Sequence, residues 1–106
     1  MSKVFIINDG GHDYSQAQTF GKLIVMTQGS INRFHLTKMV RTFSEFLGSS
    51  SEDDYLLFGG PALMAAVACS VFATKHKRLN LLIWMPDDET GGTYICRKTI
   101  LQGGET

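Results

Sequence analysis

The chain has 106 residues, 43% of them hydrophobic, and its 10 basic and 10 acidic residues cancel to zero net charge. That length fits one domain. The charge balance excludes a broad electrostatic pull toward nucleic acid or an anionic membrane, and no apolar run approaches the ~18 residues of a membrane span. The two cysteines, Cys69 and Cys96, fall in a helix and a strand by pattern, where a thiol behaves as a small hydrophobe. The run Val4–Ile7 is too short for a secretory leader. The expected setting is the cytoplasm, with both thiols reduced. Neither a cofactor nor a resident metal is expected.

The first element is the strand Lys3–Ile7, a continuous apolar run of the kind covered on both faces. A polar loop, Asn8 to Ser15, follows. Ser15 to Phe20 has the makings of one helical turn, with Ser15 as its cap and Gly21 at its end. Lys22–Thr27 is the second strand, closed by Gln28, Gly29 and Ser30. Leu36, Met39, Val40, Phe43, Phe46 and Leu47 then recur at helical spacing and predict a helix over 33–48. Ser30 or Asn32 is suited to start it, and Gly48 to end it.

The stretch Asp54–Lys77 organises the rest. Tyr55–Phe58 is a buried strand, and Gly59 and Gly60 stop it. Pro61 stands where helices favour proline, because its missing N–H would have no partner there. Leu63, Met64, Val67, Val71 and Phe72 then run among alanines as a second helix. Lys75, His76, Lys77 and Arg78 suit the negative end of its dipole. His35 and His76 are expected to cap the start of the first helix and the end of the second. Leu79–Met85 and Thr93–Leu101 are strands joined by the turn Pro86–Gly92, and so short a link makes them antiparallel neighbours. Trp84 is expected in the core.

This order predicts an α/β fold: a small three-layer Rossmann-like sandwich, mainly parallel, with an antiparallel C-terminal hairpin. The link between the first two strands has only about 14 residues, near the lower limit for a parallel crossover.

In open α/β sheets, ligands sit beyond the carboxyl ends of the strands, at a switch point. The first strand ends in Asn8, Asp9, Gly10, Gly11, His12 and Asp13. The second ends in Thr27 and Ser30, the third in Gly59 and Gly60, and the fourth precedes Asp87 and Asp88. Asn8, Asp9 and His12 are candidates to fix a base or ribose, and Arg33 to meet a phosphate. Gly59 and Gly60 either only turn the chain or let a phosphate reach N–H groups at the helix start. The lysine of a Walker loop is absent, and so is G-x-G-x-x-G. The run Asn8–Gly11 also suits a plain turn. His12, flanked by carboxylates, is the candidate general base.

The run Phe58-Gly-Gly-Pro-Ala-Leu-Met-Ala-Ala-Val67 resembles the glycine turn and helix start of CRISPR-associated Rossmann-fold domains. Those domains sense cyclic oligonucleotides as dimers, and some cleave them. The resemblance implicates Gly59, Gly60 and Pro61, though the Ser/Thr often found beside those glycines is missing. The whole chain also resembles the small α/β proteins common in phage genomes, through its size, its Asn8–Asp13 loop and its Asp54-Tyr55 strand start. The function expected is binding of a small, nucleotide-derived ligand at the rim, used in a phage to counter host defence signalling. One alternative is a structural or assembly module of a virion or regulatory complex. Another is a phosphodiesterase-type enzyme on the same ligand class. No charge appears from Ala62 to Ala73, so the second helix needs cover all round, and a homodimer or larger oligomer is expected.

Overall fold

Continuous apolar runs become central strands, and the periodic segments become the helices. The computed structural model describes residues 2–29 and 35–101. The elements are β1 (Lys3–Ile6), a 3-10 helix (Ser15–Thr19), β2 (Lys22–Val25), α1 (Leu36–Leu47), β3 (Tyr55–Leu57), α2 (Ala62–His76), β4 (Arg78–Met85) and β5 (Thr93–Ile100). The five strands form one sheet in the order β2-β1-β3-β4-β5, parallel except for the antiparallel β4–β5 pair. The short link between β1 and β2 does close a parallel pair, with Lys3 opposite Lys22 and Ile6 opposite Val25. It does so with a 3-10 helix of five residues in place of an α-helix. The cap expected from Ser30 or Asn32 lies outside the described residues.

The direction of travel sets the faces. From β1 to β2 the chain moves one way across the sheet; from β2 to β3 and from β3 to β4 it moves the other way. Right-handed crossovers then lay α1 and α2 together on one face and the 3-10 helix on the opposite one. The two apolar clusters follow this division. Phe5, Ile7 and Leu56 pack with Phe43, Met64 and Phe72 of the helices. Val4, Ile6, Leu57 and Leu82 pack with Ala17 of the 3-10 helix. Alternate residues of each strand serve opposite layers, as the period of two requires.

Three expectations are corrected here. First, the second helix does not lack cover all round: α1 packs beside it on the same face of the sheet, because their crossovers travel the same way. Second, the buried stripe of α1 is narrower than its apolar face. Met39, Phe43 and Leu47 are buried, while Leu36, Val40 and Phe46 are exposed. Leu36 and Val40 instead line an open apolar groove against Ala66 and Val71 of α2.

Third, the caps are redistributed. His35 stands at the N-cap of α1 without a side-chain hydrogen bond, and Ser15 does not cap the 3-10 helix; Asp13 Oδ1 accepts from the Ser15 N–H instead, at 2.9 Å. Lys75 Nζ donates to the carbonyl of Leu47 at 3.2 Å and to that of Gly48, so it closes the neighbouring helix and not its own. His76 bonds to Ser50 across 2.8 Å. The Ser50 hydroxyl spends its one proton on the Leu47 carbonyl, 2.6 Å away, so His76 Nε2 carries the hydrogen and donates.

Burial, aided by the Lys75 charge, holds His76 below its ordinary value near 6.5, with Asp54 and Glu52 opposing in part. The unfolded chain therefore takes up this proton more readily than the folded one. The resulting stability is present above about pH 6.5 and is lost as pH falls toward the folded-state value. Melting temperatures taken from about pH 7 to about pH 5 should fall more steeply for the native chain than for His76→Gln. Equal slopes would show that this imidazole takes no part.

Candidate functional site

The carboxyl ends of β1, β3 and β4 surround a cavity of about 520 Å³ that opens toward the 3-10 helix. Its walls have three sources. Asn8, Gly10, His12, Asp13 and Tyr14 come from the loop after β1. Phe58, Gly59 and Gly60 come from the turn after β3, with Leu57 beneath them. Trp84 and Tyr94 come from the β4–β5 hairpin, and Gln16 completes the lining.

Strand alternation explains the presence of Asn8: Val4 and Ile6 face this side, so the next even position does too. The Thr27 hydroxyl anchors it, 2.7 Å from Asn8 Oδ1 and 2.8 Å from the Ile7 carbonyl, with one proton to share between them. Gly60 sits beside Asn8 with φ +82°. A Cβ there would be 3.0 Å from Asn8 Cβ in a left-handed conformation, so both the turn and the neighbour favour glycine.

The loop itself is tied down. The Tyr14 hydroxyl accepts from Gly10 N–H at 3.1 Å and donates to the Asn8 carbonyl at 3.4 Å. Asp9 Oδ1 accepts from Gly11 N–H at 2.9 Å, the Asx-turn pattern, and Asp13 makes the equivalent bond to Ser15. The bond from Ser15 holds the Asp13 carboxyl below its ordinary value.

Trp84 pairs with Tyr94 across the hairpin, with ring centres 5.0 Å apart and planes at 67°. Gly92 makes room for this wall: a Cβ there would lie 2.7 Å from Trp84 Cε2. Trp84, which the sequence led us to expect in the core, lies outside it. It is 40% exposed, because the five-residue 3-10 helix is too short to cover the carboxyl end of this face. Burial raises the Tyr94 phenol, and Tyr14 and Asp13 add to the effect.

Of the residues singled out by sequence, Asn8, Gly10, His12, Asp13, Gly59 and Gly60 meet in this cavity. Asp9 and Gly11 shape the loop without lining it. Thr27 faces a separate hollow of about 220 Å³ beside His35, Lys38 and Met39, and reaches the site only through Asn8. Ser30 and Arg33 lie outside the described residues. Asp87 and Asp88 are exposed in the hairpin turn, away from the cavity.

Tyr14, Trp84 and Tyr94 were not foreseen. Two of them were within reach: counting the hairpin inward from its turn puts Trp84 opposite Tyr94, on the same face as Leu82. His12 is exposed, with its ring edge-on to that of Tyr14 at 6.2 Å. The carboxylates beside it, Asp9 and Asp13, are committed to backbone N–H groups. Among the described residues, no group of three His, Cys, Asp or Glu side chains is placed to hold a metal, and no helix is long and apolar enough to cross a membrane. Burial raises the Cys69 thiol, as befits an apolar mid-helix position.

The class is thus an α/β protein whose largely parallel sheet opens a partly aromatic cavity at its carboxyl rim. The chain belongs to the Phage Pam3 gp32-like protein family, whose model matches residues 2–96. Neither the curated proteins nor the solved structures give a match.

Proposed function

We propose that this phage protein binds a small, nucleotide-derived ligand in the rim cavity, acting in the host cytoplasm. The observation that carries the reading is the convergence of Asn8, His12 and the Gly59-Gly60 turn with the Trp84–Tyr94 wall. The wall offers a stacking surface for a base. The start of α2 offers N–H groups that no turn of helix satisfies. A Rossmann-like description draws support from the strand order, which reverses direction between β1 and β3, beside the cavity. In a phage, holding a host signalling nucleotide out of circulation is the use this reading gives.

Trp84 is the sole tryptophan and lines the cavity, so emission excited beyond the tyrosine band reports on the site. Nucleosides and nucleotides added to the native chain should shift its emission and raise the melting temperature. His12→Ala should weaken binding several-fold and leave the ligand-free melting temperature nearly unchanged, because exposed loop positions contribute little to stability. If emission and melting temperature hold still with every nucleoside and nucleotide at millimolar concentration, the reading is wrong.

The groove between the helices favours a second reading, an assembly module that works by self-association. Leu36, Val40 and Leu63 are exposed on that side, and Ala66 and Ser70 leave a shallow track between them. The packing of α1 against α2 covers part of the apolar helix and leaves this narrower stripe. On this reading the native chain sediments as a dimer or larger oligomer, and Ala66→Glu sediments as a monomer. A native monomer at micromolar concentration removes it.

A further inference from the structure

The two ends of the rim cavity differ in chemistry. Asn8 and Gly60 stand at the ends of β1 and β3, where the Asn8 side chain and the Gly59-Gly60 turn line the cavity. Across the sheet, on β4 and β5, the Trp84 and Tyr94 rings meet at a steep angle and form a corner. The rings of Tyr14 and His12 make a second perpendicular pair on the loop above. Among the described residues that line the cavity, Asp13 carries the only fixed charge, and it is negative. Its influence reaches the corner, where it helps raise the Tyr94 phenol. Aromatic faces attract cations through their quadrupole, most strongly in tryptophan, and a carboxylate alongside adds to the attraction. A phosphate at this end would instead meet ring faces and a like charge.

We propose that the corner formed by Trp84, Tyr94, Tyr14 and Asp13 selects a positively charged flat ring, a nucleobase alkylated on a ring nitrogen, over its neutral parent. This rests on the reading of the cavity as a nucleoside site and adds the charge of the base it takes. The preference arises where the ring stacks, so the oxygen-rich sugar is left for the Asn8 and Gly60 end.

The test is titration of the native chain, followed by Trp84 emission, with 1-methyladenosine, which is cationic at neutral pH, with adenosine and with adenosine monophosphate. The expected result is about five-fold tighter binding of 1-methyladenosine than of adenosine, the scale of one partly exposed cation–π contact. Asp13→Asn keeps the acceptor for the Ser15 N–H, and it should lower that ratio while the aromatic share of the preference stays. Equal binding of 1-methyladenosine and adenosine by the native chain overturns the charge preference while the nucleoside site stands. Binding of none of the three refutes the nucleoside site, and the charge preference with it.

Discussion

Asp54→Ala should lower the unfolding free energy by about 3 kcal/mol, a large share of a small domain's total. Asp54 is almost wholly buried at the amino ends of β1 and β3. Its Oδ1 accepts from Lys3 N–H and its Oδ2 from Ser51 N–H, each at 2.8 Å. The Asp54 carbonyl accepts from Asn80 Nδ2 at 2.8 Å, and that same amide nitrogen donates to Glu52 at 2.7 Å. Arg78 Nε donates to Asn80 Oδ1 at 3.1 Å. This network ties the starts of three strands together at the end of the sheet opposite the cavity. Removing the carboxylate leaves two backbone donors without their acceptor, which is worse than never having buried the group. Asp54→Asn keeps one acceptor and should lose roughly half as much. Urea titration measures both, as a shift in midpoint at constant slope. A loss under 1 kcal/mol for Asp54→Ala would mean that water takes over the bonds.

Phe72→Ala should cost more, about 3–5 kcal/mol, which brings a domain of this size close to unfolding. Phe72 is fully buried where α2 meets the sheet and α1, among Phe5, Phe43 and Leu56. Its ring also packs on His76, with centres 4.5 Å apart. Truncation opens a cavity under both helices at once, and the rigid sheet below cannot collapse into it. Phe72→Leu refills most of the volume and should cost about 1.5 kcal/mol or less. If the two variants unfolded at the same urea concentration, the helix layer would be free to repack, and the close packing of Phe72 against the sheet would not set the cost.

Neither residue touches the cavity. One lies at the amino ends of the strands and the other on the helix face, both away from the rim loops. Substitutions at Asp13 or His12 can therefore be compared by binding without a collapsing fold beneath them.

The sequence by itself determined the elements. Val4–Ile7 and Tyr55–Phe58 are apolar without a break, and the strands form over Lys3–Ile6 and Tyr55–Leu57; Phe58, expected in a buried strand, lies beyond β3 and is exposed as part of the cavity wall. Pro61 marks the start of α2, though it stands at the N-cap, one residue before the first helical position that proline favours, and its carbonyl accepts the Ala65 N–H at 3.1 Å. The seven-residue turn Pro86–Gly92 leaves β4 and β5 no choice but to pair antiparallel. The rim loop was also legible, since polar and glycine residues after a buried strand mark its carboxyl end. The resemblance to small α/β proteins of phages pointed to a phage protein, and the family match agrees.

What only the tertiary structure decided is which surfaces face one another. Helical and strand periods depend on neighbours a few residues away, so they can be read along the chain. The side taken by α1 depends on strand order and crossover hand, and these link residues far apart. For that reason Lys75 closes the helix that ends at Leu47, 28 positions earlier, and Thr27 steadies Asn8 from the neighbouring strand. Trp84 lies on a largely apolar strand, yet it forms a cavity wall, because a 3-10 helix of five residues does not extend far enough to bury it.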